Sequence, residues 1–276
     1  MTGGENPAAR WAGALDGWAI PEAILAAAPQ SPWSFPARLF RIDPGSPPPL
    51  TASHHLATAA LEGGGSVLDV GCGGGAASIP LVPPATALTG VDPAPEMLAG
   101  FATAAEDAAV AHQEVQGRWP DVADQVPDAD VVVCHHVVYN AADIAPFVVA
   151  LSDHARRLVV VELTERHPQA PLAPLWERFW GLARPDEPSA DLLVEVVADL
   201  GYRPTVRRTD RPPRKAGLDR AASVAFARRR LCLGADRDPD IDAALGADPE
   251  RAVTTVVSVA WSPLGRSPGS QLQSVT

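Results

Sequence analysis

Val67-Leu68-Asp69-Val70-Gly71-Cys72-Gly73-Gly74-Gly75 decides the fold. A short apolar run, 66–70, stops at a cluster of glycines, as a buried strand does before a tight turn. Glycines there relieve the steric limit on the turn and let backbone N–H groups approach a ligand closely. The next apolar run ends in Gly90-Val91-Asp92, placing Asp92 twenty-one residues beyond Gly71. A carboxylate at that spacing can accept both hydroxyls of a ribose. Gly71-x-Gly73-x-x-Ala76 also satisfies the dinucleotide fingerprint. Two observations separate the readings. Asp69 lies inside the strand, where a dinucleotide site usually has an apolar residue, and about 65 residues precede that strand, whereas dinucleotide folds often begin with it.

Outward from this loop, the runs 66–70, 85–91, 110–115, 130–134 and 157–163 read as strands, with helical patterns at 75–81, 95–109 and 141–154 between them. Such alternation predicts right-handed crossovers and a parallel sheet. Unbroken Val and Leu in the fourth and fifth runs fit strands buried on both faces. Two helices, 171–182 and 189–200, follow. Strand-like segments at 202–208 and 252–261 flank a helix at 218–233, and the tail from 262 is polar. On the N-terminal side, 12–28 is helical with Pro21 interrupting it. The segment 31–49 is irregular because prolines crowd it, and 51–61 is helical with Thr51 or Ser53 as N-cap.

The 276 residues suffice for one α/β domain with embellishments; 46% are hydrophobic and 20% charged, a globular composition. No run reaches the roughly 18 apolar residues of a membrane helix. The polar start, 1–10, lacks the apolar core of a secretory signal, which predicts a cytoplasmic location. Cys72, Cys134 and Cys232 are far apart and form no CxxC pair, so neither a disulfide framework nor a zinc knuckle is expected. The net charge of −11 disfavours nonspecific nucleic-acid binding. Ten of the 22 basic residues nevertheless lie between Arg203 and Arg230, opposed there by Asp210 and Asp219 alone.

Leu68 to Gly75 resembles the first motif of class I S-adenosylmethionine-dependent methyltransferases. Val91-Asp92-Pro93-Ala94-Pro95-Glu96-Met97-Leu98 resembles their second, and Asp130-Val131-Val132-Val133-Cys134-His135-His136-Val137-Val138-Tyr139 their fourth-strand motif. Val115-Gln116-Gly117-Arg118-Trp119-Pro120 sits where their third strand meets the adenine. The resemblance implies a Rossmann-like seven-stranded sheet, mostly parallel with its last strand antiparallel and helices on both faces. It implies a domain over 62–265, a helical N-terminal cap over 1–61, a helical insertion at 166–200 over the acceptor site, and a flexible tail at 266–276. It also implies S-adenosylmethionine as cofactor. Gly71 and Gly73 would pass its methionine part, Asp69 would orient its amino group, Asp92 would hold the ribose, and Met97 would pack on the adenine. Cys72, Pro93, Gly117, Arg118, Trp119, Cys134 and His135 complete that set. Gly117-Arg118 departs from the family's common Gly-Asp. An Arg cannot accept the adenine amino group's hydrogen bond, so backbone contacts from Arg118 or Trp119, or stacking by Trp119, are expected instead.

Methyl transfer is an in-line displacement, and the protein mainly aligns the acceptor and removes a proton. Candidates cluster at the carboxyl ends of parallel strands, where such sheets bind ligands: His135, His136, Tyr139 and Asn140 after the fourth, Glu162 and His167 at the fifth. His135 is the expected base, with Tyr139 beside it, while His136 reads as a partly buried residue starting a helix. No metal is expected, because neighbouring histidines cannot easily face one ion. The fourth strand is followed by no Asn/Asp-Pro-Pro-Tyr and the chain contains no Pro-Cys, which disfavours nucleobase acceptors and leaves a small molecule. Trp18, Trp33, Phe35, Phe40, Trp176, Phe179 and Trp180 could line its pocket. The alternatives are an RNA methyltransferase using the basic window and a cofactor-binding module without catalysis.

Overall fold

Seven strands form one sheet in the computed structural model, which describes residues 5–33, 50–211, 220–245 and 254–265. The strands are β1 (Gly65–Val70), β2 (Ala85–Asp92), β3 (Ala111–Gln116), β4 (Ala129–His135), β5 (Ala155–Thr164), β6 (Thr205–Arg211) and β7 (Thr254–Trp261), in the order β3-β2-β1-β4-β5-β7-β6. The pairs from β3 to β5 are parallel, and β7 runs antiparallel to both of its neighbours. The sheet therefore has the expected architecture. Its order reverses between β1 and β4, which opens a crevice at their carboxyl ends.

Alternation along the strands divides the core. Val67, Val131, Val133 and Val160 face one side, under α3 (Ala52–Ala60) and α4 (Pro95–Asp107). Leu68, Val70, Val132, Cys134, Val159 and Val161 face the other, under α1 (Pro7–Asp16), α5 (Ile144–Asp153) and α7 (Ala190–Asp199). Four further helices lie beside this framework: α2 (Glu22–Ala27), α6 (Ala173–Trp180), α8 (Arg220–Arg230) and α9 (Asp238–Ala244). Ile20, Trp176, Leu231 and Cys232 form the core of this smaller cluster.

Three expectations change. The helix over 75–81 is replaced by turns and a single 3-10 turn, Ile79–Leu81. Consecutive glycines favour an irregular backbone, and Pro80 removes a helix-propagating N–H. The division at 61/62 does not separate two bodies, because α3 packs directly on the sheet, with Ala57 and Leu61 fully buried. The insertion at 166–200 is of two kinds. Helix α7 belongs to the layer covering the sheet, through Leu192, Leu193, Val196 and Val197, and only α6 joins the outer cluster. Phe35, Phe40, Arg214, Lys215 and the tail 266–276 lie outside the described residues.

Among the described residues, three arginines of the basic window are paired with acids. Arg208 pairs with Glu165 and Asp191, Arg220 with Asp242, and Arg228 with Asp238. No described helix is long and apolar enough to cross a membrane.

Candidate active site

The loop after β1 is tied to the end of β2. Gly71 N–H and Cys72 N–H both donate to the Val91 carbonyl, at 2.8 and 3.0 Å. Gly71 has φ +72°, and a Cβ there would lie 2.3 Å from Val137 Cγ2, so only glycine fits. Gly73, at φ +50°, has open space where a side chain would be. Asp92 accepts from Gly73 N–H at 3.1 Å and from Ala94 N–H at 2.9 Å, so one carboxylate joins the loop to the start of α4. Asp69 is buried beneath them. Ser78 donates to its Oδ2 at 2.6 Å, while its Oδ1 has no hydrogen-bond partner. Burial pushes this carboxyl up to about 7, against the Ser78 bond and assisted by Asp92.

Other residues expected at the cofactor occupy mixed positions. Pro93 is exposed and Met97 half-buried at the start of α4, Arg118 is exposed, and Gly117 N–H donates to the Asp92 carbonyl at 3.2 Å. Three of these side chains are turned into the core, which leaves their backbone to face a ligand. The Cys72 thiol sits against Gly90 and Phe101's cluster, and Cys134 is fully buried; burial pushes both thiols up. The Trp119 indole is buried, with Nε1 donating to the Phe147 carbonyl at 3.4 Å, so stacking on a ligand falls away and its backbone remains.

At the ends of β4 and β5 a polar cluster replaces the apolar core. Glu162 is buried, and Oε2 accepts from the Thr51 and Ser53 hydroxyls at the start of α3, while Ser53 Oγ also lies 2.8 Å from Ser258 Oγ. Oε1 faces His136 Nε2 at 3.3 Å. Burial opposes ionisation of Glu162, but the bond from His136, the charge of His135 and the two hydroxyls outweigh it and hold the carboxyl well below the usual range. His136 has φ +61°, a left-handed conformation uncommon outside glycine. Its backbone N–H donates to the Glu162 carbonyl at 2.7 Å. His54 accepts from Thr51 N–H at 3.0 Å and donates from Nε2 to the Ala76 carbonyl at 3.1 Å, tying α3 to the glycine loop. His135 stands edge-on to His54, ring centroids 5.3 Å apart.

A cleft of about 780 Å³ opens beside this cluster, lined among others by Trp18, Trp33, His136, Tyr139, His167 and Arg230. Val137, the residue after His136, packs against Gly71, so one short segment runs from the cleft wall to the glycine loop. His136 lines the cleft, whereas His135 is not among its lining residues. Tyr139 is a wall. Its hydroxyl donates to the Thr164 carbonyl at 2.7 Å, its ring stacks on Trp11 at 5.6 Å, and burial pushes the hydroxyl's pKa up. His167 stacks on Trp18 at 4.1 Å. Trp176 is fully buried and packs the outer cluster, leaving Trp18 and Trp33 as the indoles of the cleft. Among the described residues, no group of three or more His, Cys, Asp or Glu side chains could hold a metal ion.

The sheet order, the glycine loop and the acid ending β2 define the class I methyltransferase fold. Residues 68–158 match the family model of a methyltransferase domain. An 81-residue stretch is 38% identical to the ubiquinone biosynthesis O-methyltransferase of Azorhizobium caulinodans; it covers 29% of this chain and spans about a third, 32%, of that protein's length. Two solved structures share the fold. YcgJ of Bacillus subtilis aligns with a TM-score of 0.52 at 15% identity, over 76% of this chain and 97% of its own. YjhP of E. coli aligns with a TM-score of 0.51 at 20% identity, over 82% and 99%.

Proposed function

We propose that the protein transfers a methyl group from S-adenosylmethionine to the hydroxyl of a small-molecule acceptor, with His136 as base and Glu162 as its positioning residue. One observation carries the reading: a histidine in a strained conformation lines the cleft next to the glycine loop and is held from behind by a buried carboxylate.

The residues around the loop suit the cofactor. Asp69 offers a buried carboxylate oxygen with no partner beneath a loop whose Gly73 leaves room. An ammonium group can engage it directly or through the backbone. Asp92 can share its oxygens between the loop and ribose hydroxyls. Met97, Gly117 and the backbone of Arg118 and Trp119 would border the adenine, and His135 the loop side. Bound there, the cofactor supplies a methyl carbon already activated by its sulfonium.

The remaining work falls to the protein. With Nε2–H donated to Glu162, His136 carries its lone pair on Nδ1, the nitrogen that takes the acceptor's proton. Glu162 fixes that tautomer and stabilises the imidazolium, while Thr51, Ser53 and Ser258 hold Glu162 in place. The aromatic walls orient the acceptor and exclude water. The relative's name, an O-methyltransferase, agrees with a hydroxyl acceptor. A location in the cytoplasm fits the reading.

S-adenosylhomocysteine should raise the melting temperature, by a stabilisation of about 2.7 kcal/mol at a hundredfold excess over Kd, and NAD should not. The opposite ranking in a thermal scan would overturn the assignment.

A further inference from the structure

The cleft's charge and donor pattern says more about the acceptor than its volume does. Trp18, Trp33, Tyr139 and His167 give it flat walls, suited to a planar ring. Those walls could take an aromatic cation or an aromatic anion. Among the described residues, the charged and titratable groups lining the cleft are Asp16, His136, Tyr139, His167 and Arg230. Asp16 is exposed at the end of α1, whereas Arg230 is half-buried at the end of α8.

Both indoles already carry a guanidinium. Arg230 lies 5.7 Å from the Trp33 ring, and Arg184 lies 6.0 Å from Trp18 and 4.2 Å from Trp176 behind it. Ring faces used in this way do not form a cage for a further cation. Arg230 donates to the Pro32 carbonyl at 3.0 Å, which anchors it, and a guanidinium's five N–H groups serve several acceptors at once. Burial draws Arg230 down to about 10, still charged at neutral pH. His167 is the second donor. Its Nδ1 accepts from Gln169 N–H at 3.3 Å, which leaves the proton on Nε2. Burial, then Arg184 and Arg230, pull His167 down to about 4, so the ring stays neutral.

We propose that the acceptor is an aromatic hydroxy acid, its ring between the Trp18–His167 stack and Trp33, and its carboxylate received by Arg230 with His167 as a second donor. This rests on the methyltransferase reading for the word acceptor, but the anion preference can be measured without turnover. Base and anion receptor then come from different parts of the fold, His136 from the end of β4 and Arg230 from α8.

Three near-isosteric phenols test this by calorimetry on the full chain in the presence of S-adenosylhomocysteine: 4-hydroxyphenylacetate, 4-hydroxyphenylacetamide and tyramine. The acid should bind at least tenfold more tightly than the amide, and tyramine no better than the amide. Arg230→Gln should abolish the difference while the melting shift with S-adenosylhomocysteine persists. Should that variant not fold, Arg230→Lys and the exposed-site Trp33→Ala serve, each expected to shrink the preference. Equal binding of acid and amide, a preference for tyramine, or an unchanged preference in the variants would overturn the proposal. An anion preference without any response to S-adenosylhomocysteine would leave the receptor standing and defeat the methyltransferase reading instead.

Discussion

At the scale of single residues, the two histidines ending β4 meet different surroundings. His135 continues the strand's alternation and faces α3 with Glu162 and Asp69, whereas His136, at positive φ, leaves that alternation and enters the cleft. Alternation was legible in the sequence, but the turn that ends it was not, because no glycine or asparagine marks it. His136→Asn, which tolerates the left-handed conformation, should lower turnover by about 10²–10⁴ with S-adenosylhomocysteine affinity little changed. His135→Asn should instead weaken that affinity, so parallel calorimetry and methyl-transfer assays separate the roles. Asp92→Ala should cost about 1.5–3 kcal/mol of cofactor affinity for each charge-assisted bond lost, read by the same calorimetry. Asp69 adds a pH dependence. Its folded pKa of about 7 lies above its ordinary 3.8, so the protonated carboxyl contributes stability that is whole below about 4 and lost as pH rises to 7. Asp69→Asn should therefore gain stability relative to wild type across that window in denaturant titrations. Its cofactor affinity should lack the rise through pH 7 expected of the wild type.

At the scale of elements, the strands were legible because uninterrupted Val and Leu runs have no other stable place than a doubly covered sheet. The covers were less so. Helices α3 and α7 carry similar apolar faces to α6, and periodicity does not reveal which layer a face meets. Helix α1 shows what fixes such an element. Asn6 caps it, Trp11 Nε1 donates to the Ala141 carbonyl at 2.9 Å, and Arg10 reaches Glu187 and Glu195. The buried indole dominates. Trp11→Ala should cost about 3–5 kcal/mol, and Arg10→Ala far less because its partners are exposed. Urea midpoints should rank the two variants in that order.

At the scale of the molecule, the cleft is assembled from parts far apart in sequence. Trp18 follows α1, His136 and Tyr139 follow β4, His167 follows β5, and Arg230 ends α8. Trp18, His136, Tyr139 and His167 could be named from the sequence, Arg230 only as the end of the basic window, and their convergence depends on the sheet order. The basic window shows the opposite limit. Its density suggested a phosphate-binding face, yet local acids take up Arg208, Arg220 and Arg228, and Arg230 turns inward. RNA binding should accordingly be weak and vanish near about 0.15 M salt, where the screening length falls to about 8 Å. A filter-binding titration retaining structure-selective affinity there would restore the RNA reading.

The turns that replace a helix after Gly75 have an electrical consequence. A helix entering from a glycine loop would aim its positive pole at whatever lies above the loop, and that pole is what dinucleotide sites use to hold a pyrophosphate. Here the segment after the loop is too short and too bent to sum its peptide dipoles, and a carboxyl lies buried underneath. Once Asp69 ionises, the field above the loop repels anions and attracts an ammonium. The missing helix pole and the ionised Asp69 therefore act in the same direction, against a pyrophosphate above the loop and for an ammonium.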